Sequence, residues 1–359
     1  MITFAIQCFF INFVRNSLII QKIFNMKYFF SIFLFCLTIG LYSQNTDIKQ
    51  PRFLKKGDKV ALISPAYYLD VDLINKAAEV FKDWGLVPVV GKNVGFKYAG
   101  NYAGTIEQRA EDLLWALQDD EIKAIICNRG GYGAIHLFDR IPLDTFSDHP
   151  KWLVGFSDIT TLHSFETVAG CMSIHGTMPS FIAKTNGTDI SSIVLKDMLF
   201  GKIPEYHIPN NKYNINGFAE GVLVGGNLAV LSALGGSYLD ATNLDNIILF
   251  IEDIGENKRN IDRLFNTLRV RGVFNRVKAL IIGDFSESAN DLDYDSVEQM
   301  LNPYLQKMHI PVCCGFPIGH GDINLPLIYG AKVKLIVNEH ESVLSFSVSG
   351  QNYILNYPE

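Results

Sequence analysis

From Lys59 onward, short apolar runs alternate with amphipathic stretches of helical length. "KVALISPA" predicts a strand, "INKAAEVFKDWG" a helix, "LVPVVG" a strand, "TIEQRAEDLLWALQD" a helix and "IKAIICNRGG" a strand, and "WLVGFSD" continues the series. Strands alternating with helices of this length build βαβ units around a mostly parallel sheet. The pattern therefore predicts a doubly wound α/β domain over residues 51–200, with functional groups at the carboxyl ends of its strands. Residues 201–217, "GKIPEYHIPNNKYNING", are rich in Pro, Asn and Gly and read as a linker. Beyond it, "GVLVGGNLAVLSALGG", "NIILFIEDIGEN", "IDRLFNTLRVRG" and "VKALIIGDF" mix strands with helices, and "KVKLIVNEH" and "SVLSFSV" finish as antiparallel strands. This second domain spans residues 218–359.

The first 44 residues break the pattern. They hold two apolar segments, "MITFAIQCFFINF" and "YFFSIFLFCLTIGLY", neither long and clean enough for a convincing membrane span. The second follows Met26 and Lys27 and ends in small residues around Ser43, the build of a secretory signal. Translation is expected to start at Met26 and the product to be periplasmic or otherwise exported, with a retained membrane anchor as the alternative.

Composition narrows the function by exclusion. The chain has 359 residues, a net charge of −6 and 48% hydrophobic positions, so it can bury a large core. No Lys/Arg-dense patch accompanies the mild acidity, which argues against a nucleic-acid partner. Of six cysteines, Cys8 and Cys36 fall in the leader, while Cys127, Cys171, Cys313 and Cys314 lack C-x-x-C spacing and read as buried thiols. No H-E-x-x-H or clustered Asp occurs, so neither a metal nor a cofactor is expected.

Four stretches carry candidate chemistry, each with a plainer structural reading beside it. In "KWLVGFSDIT", Ser157 and Asp158 sit where a strand turns into a helix and would serve as ordinary capping residues. The same turn can lift a serine hydroxyl off a sheet and leave backbone N–H groups free for an oxyanion. "NRGGYGA", residues 128–134, is either a tight turn or a loop offering N–H groups, and it lacks the pattern of a phosphate loop. "LFIEDIGEN" places Glu252 and Asp253 at the end of an apolar strand, as a functional carboxylate or as a cap for the helix that follows. "GFPIGHGDINLPLIYG" holds His320 between glycines, a better base candidate than His175 in "SIHGTM" or His163, which should point away from the turn. Ser157, Glu252 and His320 together supply nucleophile, carboxylate and base.

The blocks "RAEDLLWALQDDEIKAIICNRGGYGA", "GFSDITTLH", "HGTM", "GVLVGGNLAVLSALGGS", "FIEDIGENKRNIDRLF" and "GFPIGHGDINLPLIYGAKVKL" occur in the order that resembles the L,D-carboxypeptidase family. That family includes the self-immunity peptidases acting on microcin C. The resemblance runs from Gly57 to the end and leaves out the leader. It implies a flavodoxin-like parallel α/β domain followed by a smaller mixed β/α domain, and a homodimer. It also implies a metal-free serine peptidase that removes the terminal D-alanine from a muropeptide tetrapeptide. Ser157 matches the family nucleophile, Glu252 the triad acid and His320 the base, with oxyanion donors at the backbone N–H of Gly131 and Asp158. Arg259 stands where the family commonly has tyrosine, which bears on substrate preference. The alternatives are an immunity-type peptidase and a non-catalytic cell-wall-binding protein.

Overall fold

The computed structural model describes residues 48–286 and 292–357. The leader, with Met26, Ser43, Cys8 and Cys36, lies outside the described residues. Among them, no helix is long and apolar enough to cross a membrane.

The first half runs β1 (Lys59–Ile63), α1 (Val71–Asp83), β2 (Val87–Val90), α2 (Ile106–Gln118), β3 (Ile122–Cys127), α3 (Asp144–Asp148), β4 (Trp152–Gly155), α4 (Thr160–Val168), β5 (Ser173–His175), α5 (Pro179–Thr185) and α6 (Ile190–Leu199). The second half continues β6 (Lys202–Pro209), β7 (Gly217–Asn227), α7 (Leu228–Ala233), β8 (Ile247–Ile254), α8 (Lys258–Val270), β9 (Val277–Ser286) and α9 (Val297–Leu305). It ends with β10 (Val312–Cys314), β11 (Leu327–Tyr329), β12 (Lys332–Val337), β13 (Glu341–Phe346) and β14 (Gln351–Asn356).

Local chemistry explains the helix ends. Asp70 caps α1 by accepting from the Asp72 N–H, and Thr105 and Gln108 close a reciprocal capping box at the start of α2. Lys151 closes the far end of α2, donating to the carbonyls of Ala116, Leu117 and Asp119 at 2.9, 2.6 and 2.7 Å. The interior strands β3 and β4 are nearly all buried, which is why they read as continuous apolar runs.

Five strands of the first sheet are parallel in the order 2-1-3-4-5, the flavodoxin-like arrangement, and β11 joins antiparallel beside β5. The second sheet, with eight strands, is the wider, ordered β10-β9-β8-β7-β12-β13-β6-β14. Its first four strands are parallel, and β12 and β13 pair antiparallel with their neighbours.

The segment expected to be a linker contains β6 instead. Ile203, Tyr206 and Ile208 are buried along it, and it pairs with both β13 and β14. Pro204 is tolerated because β13 reaches only as far as Tyr206, leaving β14 alone beside the proline.

One connection decides where the functional loops meet. β10 belongs to the second sheet, yet the chain leaving it crosses over residues 315–326 and pairs through β11 with β5 of the first. The loop carrying His320 therefore hangs between the two sheets.

Candidate active site

The turn after β4 is strained. Phe156 is extended, at φ −153° and ψ −170°, and Ser157 then adopts φ +64°, in the left-handed region that costs a non-glycine residue about 1–3 kcal/mol. A single 3-10 turn over Ser157–Ile159 leads into α4, which has no side-chain cap. Ser157 is thus not the helix cap that its position suggests. Space for the turn comes from glycines: a Cβ on Gly130 would lie 2.8 Å from Ser157 Cβ, and one on Gly155 would lie 2.9 Å from the Ile159 side chain.

Asp158, also buried, turns its carboxylate away from α4. Its Oδ2 accepts from the Ala134 N–H at 2.8 Å, and the Gly133 N–H adds a second hydrogen bond. Burial pushes this carboxyl up to about 6, against the opposing influence of those bonds and of Arg109. The backbone N–H groups of Gly131 and Asp158 donate to no protein acceptor among the described residues.

Glu252 is fully buried near the end of β8, and its Oε2 accepts a 2.6 Å hydrogen bond from His320 Nδ1. With the carboxylate accepting, Nδ1 carries the proton and Nε2 is left free. Gly319 makes the approach possible: its φ is +111°, and a Cβ there would sit 2.8 Å from Glu252 Cβ. Asn324 steadies the loop, accepting from the Gly319 N–H at 3.1 Å. The His320 ring lies over Phe156, with centroids 4.8 Å apart.

The neighbouring acid does something else. Asp253 accepts from Asn227 Nδ2 at 2.7 Å and from the Ala229 N–H at 2.9 Å, so it serves the first turn of α7. Burial pushes it up to about 6. The cap of α8, the role considered for these acids, belongs to Asn257, which accepts from the Asn260 N–H at 2.9 Å. Arg259 is exposed in the first turn of that helix.

Ser157 stands between two cavities. One, of about 440 Å³, is shared with His320, Phe156, Gly130, Arg129 and Lys184. The other, of about 410 Å³, is lined on its polar side by Asp158, Asn227, Asp253 and Glu256, with Tyr132 beside them. Gly131 lines both. Among the described residues no hydrogen bond joins Ser157 to His320, although they face the same space. A cavity of about 560 Å³ bordered by Asp284, Asp295, Glu298 and Asp322 contains none of the three candidates.

The rival histidines are elsewhere. His163 is fully buried, bonded to Ser173 Oγ and to the Gly155 carbonyl at 2.8 Å each, and burial lowers it to about 4. His175 is buried with no hydrogen bond to either ring nitrogen, its proton affinity far below the usual range through burial, and it lines neither cavity. The four described cysteines are free and buried. Gly130, Gly319, Asn324 and Lys184 were not singled out by sequence; only the glycine-rich composition of the two loops hinted at the first two.

Residues 60–176 match the family model described as LD-carboxypeptidase N-terminal domain, and residues 220–335 match LD-carboxypeptidase C-terminal domain. The chain is 31% identical over 317 residues to a Bacillus subtilis protein named "probable murein peptide carboxypeptidase", covering 86% of this chain and 98% of that one. Among solved structures, muramoyltetrapeptide carboxypeptidase from Oxalobacter formigenes superposes with a TM-score of 0.75 at 24% identity, covering 82% of this chain and 100% of the other. MccF in complex with glutamyl sulfamoyl guanosine gives 0.74 at 23% identity, covering 84% and 99%.

Proposed function

Because the chain belongs to the LD-carboxypeptidase family, we propose that it is a serine L,D-carboxypeptidase that removes the terminal D-alanine from murein tetrapeptides. The observation that carries the mechanism is the 2.6 Å hydrogen bond from His320 to the buried Glu252, beside a cavity that His320 shares with Ser157.

His320 Nε2 takes the proton as Ser157 Oγ attacks the scissile carbonyl, and Glu252 holds the tautomer and stabilises the imidazolium. The backbone N–H groups of Gly131 and Asp158 receive the oxyanion. His320 then protonates the departing amine; water, deprotonated by the same imidazole, attacks the acyl-enzyme, and the imidazolium returns that proton to Ser157 Oγ as the acyl group leaves as the free acid.

The charge of the two cavities supports the substrate class. The leaving amine must face His320, so the terminal residue occupies the cavity that holds Arg129 and Lys184. A free α-carboxylate belongs beside those cations. The acyl side then faces Asp253 and Glu256, where the side-chain amine of a diamino acid would be held.

The likeness to MccF favours a second reading, an immunity-type peptidase acting on an aminoacyl sulfamoyl nucleoside. A glutamyl side chain would meet Asp253 and Glu256 as like charges, which disfavours it. The leader points to an exported, and the family resemblance to a dimeric, enzyme; N-terminal sequencing near Ser43 and light scattering test these two points.

The decisive assay incubates the purified protein with a tetrapeptide muropeptide and with glutamyl sulfamoyl guanosine, following products by mass. Loss of one alanine by wild type and not by Ser157→Ala is expected. Equal release by the two proteins removes Ser157 as the nucleophile; no release from the tetrapeptide with cleavage of glutamyl sulfamoyl guanosine favours the immunity-type reading; and no cleavage of either substrate leaves a non-catalytic wall-binding protein.

A further inference from the structure

We propose that Arg109 and Asp158 clamp one peptide unit, Gly133–Ala134, from opposite ends and thereby set the spacing of the two oxyanion donors. Both are then positioning residues for the hydrolysis proposed above, and the inference rests on that reading.

Arg109 comes from α2 and is only 2% exposed. A buried guanidinium normally meets a carboxylate, yet among the described residues Arg109 makes no ion pair within 4 Å. Its Nη1 donates instead to two carbonyls, Pro65 at 2.8 Å and Gly133 at 2.7 Å, and its Nη2 lies 3.2 Å from His136 Nδ1. Asp158, equally buried, spends its carboxylate on the Ala134 N–H at 2.8 Å.

The Gly133 carbonyl and the Ala134 N–H belong to the same peptide plane. A cation therefore grips the negative end of one peptide dipole while an anion grips the positive end, and each charge feels the other across it. The geometry is tight: a Cβ on Gly133 would lie 2.9 Å from Arg109 Nη1.

Two buried charges held apart by a peptide are an expensive way to stabilise a fold, since apolar residues of similar size commonly do as well. Their placement gives them another use. The clamped peptide lies two residues from Gly131, in a loop whose three glycines leave its amides free to reorient. Asp158 follows Ser157, and its own backbone N–H is the second proposed donor. Its side chain thus ties the segment bearing one donor to the turn bearing the other.

The test measures kcat and KM on a muropeptide tetrapeptide, inhibition by a boronic acid analogue of that peptide, and binding of the tripeptide product. Wild type, Arg109→Met, Arg109→Lys and Asp158→Asn are compared, with thermal unfolding as the check on folding. Arg109→Met and Asp158→Asn should each lower kcat roughly ten- to a hundredfold, the scale of a weakened oxyanion site, with KM within about twofold. Boronate affinity should fall by the same factor while tripeptide affinity holds, and Arg109→Lys, a point charge without the fork, should lie between. Unchanged kcat, or losses that appear equally in KM and tripeptide binding, overturn the clamp. If Arg109→Met cannot be obtained folded, the nearly isosteric Asp158→Asn decides alone on the same criteria. Absence of Ser157-dependent turnover in wild type is a separate outcome that removes the underlying carboxypeptidase reading.

Discussion

The two sheets bring their share of the site into place by different means. On the first, the main chain does the positioning: Ser157 is held at φ +64° by a turn that fits only because Gly130 lacks a side chain, and the proposed oxyanion donors are themselves backbone N–H groups. On the second, side chains do it: Glu252 reaches from a buried strand and holds His320 through one 2.6 Å hydrogen bond. The first arrangement is rigid but strained, and the second depends on a single charged contact in a dry environment, where such contacts are strong and costly to break. Damage to the first should act through geometry, and damage to the second through charge and tautomer.

The largest effect expected is common to both halves. Ser157→Ala or His320→Ala should each lower kcat by on the order of 10⁶, and the double variant should lose little more, because residues that act as one unit are not additive. Additive losses, seen in single-turnover assays, would separate the halves that the comparison joins. Next comes Glu252→Gln, which keeps the shape but inverts the hydrogen-bond preference; if Glu252 is the triad acid proposed above, a fall of about 10³–10⁴ in kcat is expected.

Gly130→Ala tests the first sheet in the corresponding way without touching a reacting atom. The added methyl cannot coexist with Ser157 Cβ at 2.8 Å, so a shift of Ser157, the proposed nucleophile, and a loss of about a hundredfold in kcat are expected. A variant as active as wild type would show that the turn is not strained into place. Asp158 and Asp253, one on each side of the site, allow a matched comparison by pH. Each carboxyl is raised to about 6 by burial, above an unfolded value of about 3.9. The folded state then binds more protons between these values, so stability falls as pH rises from about 4 to about 6, by roughly 2–3 kcal/mol per group. Asp158→Asn should flatten its share of that slope in denaturant titrations, and so gain stability at neutral pH while losing rate.

The smallest effect lies outside the site. His207 is flanked by Glu341 at 2.9 Å and Glu205 at 3.1 Å. Against the opposing effect of partial burial, these hydrogen bonds raise its pKa. Its contribution, under about 1 kcal/mol and weakened by salt, is complete below about 6.5 and disappears as pH rises through the raised folded value. His207→Ala should therefore matter in acid and hardly at all in alkali.

Much of this was legible in the sequence, for identifiable reasons. The first sheet announced itself because buried parallel strands and amphipathic helices have periods that survive without knowledge of contacts. Ser157, Glu252 and His320 stood out because strand ends and glycine-flanked loops are unusual places for such groups, and the order of the motif blocks reinforced them. β6 was missed because Pro204, Pro209 and the asparagines that follow carry turn chemistry, and only its position beyond the end of β13 reconciles Pro204 with a strand. Arg109 was hidden on an amphipathic helix, where a charged residue is normally solvated. Which peptide it holds depends on a loop some twenty-four positions away, and no local pattern encodes that.

The short strand β11 gives the molecule a final property. Because the later half of the chain lends Leu327–Tyr329 to the sheet of the earlier half, the two cannot swing apart like the jaws of a clamshell without first tearing that strand from its neighbour. The loop bearing His320 is thereby anchored at both ends, through β10 in one sheet and β11 in the other, so its imidazole is carried by a span tied to both halves of the chain.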